Sequence, residues 1–363
     1  MTVGPFERVE IVLENRNGIF YPGQTIIGTV NVSNNKSETI KGIQVECSGV
    51  AEVRIPGKDS KNTYSSIGCE FYCASEQYFD FKFSLVNPGQ HAVELAAGHH
   101  QYPFSFVLPT QIPPSFEGAY GHIRYNIKAV AQRTWLKREY VCNSNLTVNA
   151  IADLNAMPKA ELPVKQIKSK TLGLLCCKSG PISAQARIDR AGYVPGETII
   201  LQAHTDNESG ISMRGSKAQL VQITKFVAEG HTNFESKVLK AYIHESFIDI
   251  DVMDNVKFVV PQVPPSSLPF CGIIDISYQI QYIVDPGTLS INLTINLDLM
   301  IGTIPLRSHM VSSATEALNA SGPVLDHWAI PGVGGSEWAR PSAPPPSYEE
   351  IIQAGDSRHA VKL

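Results

Sequence analysis

Apolar and polar residues alternate with a period of two along much of the chain. In two of these runs the apolar positions are Ile291, Leu293, Ile295, Leu297 and Leu299, and Phe79, Phe81, Phe83 and Leu85. Successive side chains of a β-strand point to opposite faces, so each run predicts a strand with one buried and one solvated face. Similar runs recur between Gly, Pro and Asn clusters as far as about residue 300, without long helical stripes. The pattern predicts an all-β chain whose sheets pack as sandwiches.

Two stretches of sequence occur twice, in the same order. The first repeated pair is 21–27 (YPGQTII) with 194–200 (VPGETII). The second is 112–115 (IPPS) with 263–266 (VPPS), and each of these two segments is soon followed by a Tyr-centred strand, around Tyr125 and Tyr278. Proline presets φ at the second turn position and glycine supplies positive φ at the third, so each Pro-Gly pair predicts a type II turn. Such turns are common in any β protein, which is the alternative explanation. The shared order favours two homologous sandwiches, at residues 1–150 and 180–306.

The remaining segments differ in composition. Residues 151–179 are interpreted as an interdomain linker and the start of the second domain, because their prolines suit an extended chain. Residues 307–363 are rich in Ser, Ala, Gly and Pro and have too little apolar surface to offset the entropy of ordering. We therefore expect a disordered C-terminal tail.

Composition and motifs narrow the classes of function. Apolar residues make up 43% of the chain, and the net charge of −4 offers no basic excess for nucleic acid. Seven scattered cysteines fit no disulfide framework, and we expect a cytoplasmic protein because no signal peptide or apolar span of about 20 residues is apparent. No metalloprotease motif, phosphate-binding loop or nucleophile elbow occurs, so we expect no enzyme activity, no cofactor and no metal.

Several segments together resemble the α-arrestins, the arrestin-domain-containing proteins. Beside Pro22-Gly23, they are 153–155 (DLN), 176–183 (CCKSGPIS), 192–197 (GYVPGE) and 301–306 (IGTIPL). The resemblance covers about residues 6–306 and the tail motifs described below. It implies two tandem arrestin-type, immunoglobulin-like β-sandwiches. The buried polar core of visual and β-arrestins cannot be mapped onto this chain, so their phosphate-triggered activation is not carried over.

The resemblance also implies a function. Members of this family are adaptors whose arrestin domains contact membrane receptors or transporters as cargo. Their tails recruit WW-domain HECT-type ubiquitin ligases, and the cargo is then ubiquitinated and sorted by endocytosis or vesicle budding. A cytoplasmic protein associated peripherally with the plasma membrane and endosomes is expected on this basis.

A PPxY motif lies in the tail at Pro345, Pro346 and Tyr348, with Ser347 between the last two. Consecutive prolines favour the polyproline II conformation before any partner binds, which lowers the entropic cost of docking into an aromatic WW groove. The prolines would lie on the aromatic platform and the Tyr348 ring would fill the neighbouring pocket. A proline-rich spacer is the alternative interpretation.

A second short motif lies directly upstream, at Pro341, Ser342, Ala343 and Pro344. It resembles the P-[ST]-A-P ligands of the UEV domain of ESCRT-I. A chance match is the alternative, because four small residues occur easily in proline-rich sequence. The two motifs abut, so we expect their two partners to compete for the tail.

Membrane contacts are suggested by two further features. Cys176 and Cys177 lie close to lysines, a setting in which cysteines can be palmitoylated; the alternative is that they are small core residues of a strand. Arg124, Lys128 and Arg133 follow one predicted strand and could form a basic face for anionic lipid heads; a solvated sheet face is the alternative.

Three other classes of protein remain open from sequence. The first is an arrestin-like trafficking scaffold, similar to the retromer arrestin subunit, which acts without a ligase. Such a scaffold has no need of a PPxY motif. The second is an extracellular adhesion module of immunoglobulin-like domains, which the missing signal peptide and odd cysteine count disfavour. The third is an enzyme on a sandwich fold, which motif absence alone does not disprove.

Overall fold

The structure is a computed structural model that describes residues 6–57, 71–86, 92–133, 139–172, 180–287 and 291–309. Strands dominate these ranges. The first sandwich contains β1 (Phe6–Leu13), β2 (Ile19–Phe20), β3 (Thr25–Asn34), β4 (Glu38–Pro56), β5 (Phe71–Val86), β6 (Val93–Leu95), β7 (Gly98–Val107), β8 (Phe116–Gly118), β9 (Gly121–Arg133) and β10 (Tyr140–Val148). The second contains β11 (Val164–Thr171), β12 (Pro181–Ile188), β13 (Gly192–Tyr193), β14 (Thr198–Asn207), β15 (Gly215–Ala228), β16 (His231–His244), β17 (Ile250–Val259), β18 (Ile274–Asp285) and β19 (Leu293–Ile301).

Each sandwich consists of two sheets. In the first, a three-stranded sheet of order β1-β3-β7 faces a seven-stranded sheet built on β2-β10-β9-β4-β5, with β6 and β8 as short additions. In the second, a four-stranded sheet of order β11-β12-β14-β17 faces a five-stranded sheet of order β13-β19-β18-β15-β16. The all-β, tandem-sandwich prediction is confirmed. No helix within the described ranges is long and apolar enough to cross a bilayer.

The repeated Pro-Gly segments form the same turn in both sandwiches. Gly23 has a φ of 82° and Gly196 a φ of 92°, values that favour glycine. The Gln24 N–H donates to the Tyr21 carbonyl and the Glu197 N–H to the Val194 carbonyl, each at 3.1 Å. These are the predicted type II turns, and they begin the equivalent strands β3 and β14.

The second repeated pair also makes the same contact twice. The hydroxyl of Tyr125 donates to the carbonyl of Pro113 at 2.5 Å, and that of Tyr278 donates to the carbonyl of Pro264 at 2.7 Å. Both rings are buried. Each tyrosine therefore attaches a proline-containing loop to its sheet through a hydrogen bond. The two segments that are repeated in the sequence thus have the same structure in both sandwiches.

The core lies between the sheets of each sandwich, on the alternate positions that the sequence pattern predicts. Leu293, Ile295, Leu297 and Leu299 of β19 are all buried. Ile291 was predicted to share this face, and that was wrong: the strand begins two residues later and the Ile291 side chain is 82% exposed. The alternating pattern in the sequence therefore begins two residues before the strand does.

The stretch 151–179 is partly regular. A 3₁₀ helix spans Leu154–Ala156, where the Asp153 side chain accepts a hydrogen bond from the Asn155 N–H, and β11 begins at Val164 and pairs with β12. Residues 173–179 and 310–363 lie outside the described residues.

Candidate functional site

The residues predicted from sequence to bind partners lie outside the described ranges. This holds for the PPxY residues Pro345, Pro346 and Tyr348, for the upstream motif at 341–344, and for Cys176 and Cys177. Their assignments therefore stay predictions. The structure describes the surface from which the tail starts, and the interface that holds the two sandwiches together.

The chain after β19 runs back along the linker between the sandwiches. The Thr303 N–H donates to the Ala152 carbonyl at 2.8 Å, and the Leu154 N–H donates to the Ile304 carbonyl at 3.2 Å. Leu306 is buried against Leu154, so an apolar contact accompanies the backbone bonds. Residues 302–306 thus fasten the end of the second sandwich to the linker.

The last described residues continue this attachment. The Arg307 N–H donates to the Asn155 side chain at 3.0 Å, and the Ser308 hydroxyl donates to the Glu161 carboxylate at 2.8 Å. The ring of His309 lies 2.9 Å from the guanidinium of Arg190. The PPxY-bearing tail therefore starts from a fixed point on the linker side of the second sandwich.

Arg190 organises the loop beneath this point. Its guanidinium is largely buried, forms an ion pair with Glu197 at 3.1 Å, and donates to the Gly192 carbonyl at 2.8 Å. It also lies over the Tyr193 ring, 4.3 Å from the centroid. Burial raises the pKa of the Tyr193 hydroxyl, which donates to Asp189 at 2.7 Å. These contacts hold the loop between β12 and β14 in place under the tail.

The β15–β16 hairpin reaches from the second sandwich to the first. Its two turn residues, Glu229 and Gly230, have φ values of 50° and 76°, as a tight primed turn requires. This turn brings the Glu229 carboxylate to the Cys73 N–H at 3.0 Å. The adjacent His231 ring stacks on Tyr72 with centroids 3.6 Å apart.

Two further carboxylates bridge the sandwiches in the same manner. The Ala119 N–H donates to Glu235 at 3.1 Å, and the Gly272 N–H donates to both oxygens of Glu76, at 3.0 and 3.2 Å. Hydrogen bonds to charged groups are stronger than neutral ones, typically about 1.5–3 kcal/mol. These glutamates could not be found from the sequence, because no motif marks a glutamate that accepts a backbone N–H from another domain.

An aromatic cluster fills the space between these bonds. Phe226, which is fully buried in the second sandwich, packs edge-on against Tyr120 of the first, with centroids 5.6 Å apart. The centroid of the Phe116 ring lies 6.5 Å from that of the Phe226 ring. An apolar centre with charge-assisted bonds around it is the composition of a stable interface.

The basic row predicted on β9 is paired with acidic residues. Arg124 binds Glu117 at 2.7 Å. Lys128 binds Glu46 at 3.0 Å, and its hydrogen bond lowers the pKa of that carboxyl. Arg133 binds Glu38 at 2.8 Å. A row of paired charges presents little net positive charge to anionic lipid.

Among the residues that the structure describes, no three or more His, Cys, Asp or Glu side chains converge on one point. This part of the chain therefore offers no candidate metal site.

Comparison with known proteins agrees with this architecture. The family model for the N-terminal domain of arrestin (or S-antigen) matches residues 9–155, and the model for the C-terminal domain matches residues 178–306. Arrestin domain-containing protein 17 of Caenorhabditis elegans is 29% identical over 330 residues, covering 87% of this chain and 75% of that protein. Arrestin domain-containing protein 1 of Homo sapiens is 26% identical over 368 residues, covering 98% of this chain and 76% of that protein.

A third relative also matches most of the chain. Arrestin domain-containing protein 4 of Homo sapiens is 29% identical over 310 residues, covering 83% of this chain and 72% of that protein. The matches extend through both sandwiches, and they support a role as an arrestin-family adaptor. The chain belongs to the arrestin family, among the arrestin-domain-containing proteins or α-arrestins.

Proposed function

We propose that this protein is a noncatalytic adaptor that brings WW-domain HECT-type ubiquitin ligases to membrane-protein cargo. The observation that carries the proposal is a PPxY motif, with Pro345, Pro346 and Tyr348, in a tail that follows two arrestin sandwiches. The ligase, once recruited, ubiquitinates the cargo and commits it to endocytosis and sorting.

The chemistry of the motif supports the ligase contact. Pro345 and Pro346 are preorganised for a polyproline II helix, so little ordering entropy opposes docking. Tyr348 supplies a large ring with a polar tip, a side chain that often dominates binding energy at interfaces. The tail starts beside the loop after β12, where His309 contacts Arg190, and the motif follows later in the chain.

The cargo contact is assigned to the arrestin domains. Receptors or transporters would bind through their cytoplasmic segments, so the adaptor works in the cytoplasm, peripherally at the plasma membrane and endosomes. Palmitoylation of Cys176 and Cys177 would strengthen that association, since a single acyl chain gives marginal membrane binding and a second signal makes it stable. ESCRT-I is a further proposed partner, through Pro341 to Pro344.

A titration of the purified full-length chain with isolated ligase WW domains tests the ligase contact. We expect micromolar affinity, and a loss of about ten-fold or more in Tyr348→Ala because the ring leaves its pocket empty. Pro341→Ala is the matched control: it alters the neighbouring motif and should retain WW binding while weakening UEV binding.

Two results would contradict the proposal. If Tyr348→Ala binds WW domains as tightly as the parent, the motif is not the contact. If neither protein binds, the tail is a spacer and the ligase-free, retromer-like scaffold becomes the better account. Additive binding of WW and UEV domains to one chain would refute competition between the two motifs.

A further inference from the structure

Two equivalent strands end their sheets in the two sandwiches. β7 is the outer neighbour of β3, and β17 is the outer neighbour of β14. Their registers correspond, because Thr25 pairs with Val107 at the start of β3 and Thr198 pairs with Val259 at the start of β14. Each strand therefore exposes one backbone edge, and the duplication allows the two edges to be compared position by position.

The backbone hydrogen bonds between β14 and β17 show which backbone groups face the open edge of β17. The Asn207 N–H donates to the Asp249 carbonyl at 2.8 Å, so Asp249 faces β14. Hydrogen bonding alternates along an antiparallel strand, so the N–H and C=O groups of Ile250 and Val252 point away from β14. Farther along, the Lys257 carbonyl accepts from the Tyr242 hydroxyl, which covers that part of the edge.

The equivalent edge of β7 is protected against strand addition. The Leu108 N–H donates to the Gln24 carbonyl, so the odd-numbered residues of β7 face outward. They include His99, Gln101 and Pro103. Proline offers no N–H, and polar side chains with proline are the usual means by which natural proteins block an edge.

The edge of β17 lacks this protection. The positions equivalent to His99 and Gln101 are Ile250 and Val252, whose side chains are 57% and 53% exposed. β17 contains no proline. β7 and β17 are thus equivalent strands with different edges. The edge of β7 is blocked by polar residues and proline, whereas the edge of β17 is open and apolar at Ile250 and Val252.

Charges around this edge indicate what would bind there. Asp206, which pairs with Ile250, is exposed, as are Asp249 and Asp254 on either side of the apolar pair. A second copy of the chain is disfavoured, because antiparallel self-pairing of the outward-facing Ile250 and Val252 would place Asp251 directly opposite Asp251 of the other copy. Like charges directly opposite each other destabilise a strand pair. A basic segment would complement them.

We propose that residues 250–253 of β17 dock an extended peptide of a partner protein by strand addition, and that the peptide carries apolar β-branched residues alternating with Lys or Arg. Main-chain hydrogen bonds to Ile250 and Val252 would supply affinity, the two side chains would pack against the apolar residues, and the three aspartates would select basic neighbours. Docking at this edge does not depend on the ligase contact of the tail.

The test measures fluorescence anisotropy of a short labelled peptide of alternating Val and Lys, titrated with the full-length chain. Two matched probes separate the contribution of charge from that of main-chain hydrogen bonds. In the first, Glu replaces Lys. The second carries N-methyl groups on alternate amides, which removes the hydrogen bonds to the strand edge. We expect both to bind about ten-fold more weakly or worse. Tyr348→Ala should bind the Val–Lys peptide as the parent does, even if WW binding fails.

Variants locate the site. Val252→Pro removes an outward N–H that β14 does not use, and should abolish peptide binding. Gln101→Pro makes the same change at the equivalent position of β7 and should leave binding unchanged. If circular dichroism shows that Val252→Pro is misfolded, Ile250→Lys replaces it, since that exposed side chain can change without loss of the core.

The proposal is overturned if the parent does not bind the Val–Lys peptide, if the Glu peptide binds equally well, or if folded Val252→Pro or Ile250→Lys binds as the parent does. It is also overturned if light scattering shows a dimer of the parent that Val252→Pro dissociates, because the edge would then belong to a second copy.

Discussion

Gly118 lies at the end of β8, where the first sandwich meets the aromatic ring of Phe226. A Cβ atom added at Gly118 would be 2.8 Å from the Phe226 Cζ and 2.8 Å from the Phe116 Cε1, distances that Cβ contacts do not adopt. Gly118→Ala must therefore displace rings that connect the two domains. Overpacking of this kind costs about 1–3 kcal/mol. The free energy of opening the interface should fall by that amount.

Hydrogen exchange of the interface amides measures this directly. The Ala119 N–H, bonded to Glu235, follows the substituted residue, and the Cys73 and Gly272 N–H groups are bonded across the same interface. A loss of about 1–3 kcal/mol predicts exchange roughly 5- to 150-fold faster at these amides.

Gly28→Ala is the matched control for crowding. Its Cβ would lie 2.7 Å from the Phe104 Cζ, inside the first sandwich and away from the second. We expect it to destabilise the first sandwich without selective loss of protection at the interface. The account of the interface is refuted if Gly118→Ala leaves the three amides as protected as in the parent, or if Gly28→Ala exposes them equally.

Two further predictions concern the buried tyrosines. Tyr125→Phe and Tyr278→Phe each leave a proline carbonyl without its donor and should each lower the free energy of unfolding by about 1–3 kcal/mol in urea denaturation; a change in only one sandwich would contradict their equivalence. Burial raises the pKa of six tyrosines among the described residues and raises the pKa of the Cys47 thiol to about 12. The tyrosines are Tyr78, Tyr102, Tyr125, Tyr193, Tyr278 and Tyr282. Since these groups ionise first in the unfolded chain, stability should be intact below about pH 8, begin to fall near pH 9 through Cys47, and fall more steeply above about pH 10 through the tyrosines. The tyrosinate absorbance of these six tyrosines should appear only on unfolding. The chain has 13 tyrosines, so tyrosinate absorbance from more than the other seven while the circular dichroism stays native would contradict the burial.

Local chemistry explains what could be predicted from sequence. A Pro-Gly pair restricts its own turn, and alternating residues define a strand whichever partner it finds, so β3, β14 and the faces of β19 followed from short segments. The order of a Pro-Pro segment followed by a Tyr-centred strand was visible twice in the sequence. The separations differ, 12 residues from Pro113 to Tyr125 and 14 from Pro264 to Tyr278, and the hydrogen bond between them was not predicted.

Contacts between distant residues could not be predicted in the same way. Glu229 binds a backbone N–H that is 156 residues away in sequence, and an N–H carries no side-chain signature. The start of β19 was misplaced at Ile291 because an apolar residue can continue an alternating pattern without being covered by another sheet. The open edge of β17 could likewise not be predicted, because it depends on which strands are neighbours in the sheet.

We propose that one chain connects membrane-protein cargo to a ubiquitin ligase through Tyr348. The most direct test is to capture membrane proteins on the parent chain and on Tyr348→Ala from the same cells, and to measure the ubiquitinated fraction of each captured protein. We predict that both chains capture the same proteins and that ubiquitination is much lower with Tyr348→Ala. Equal ubiquitination with the two chains would contradict the account.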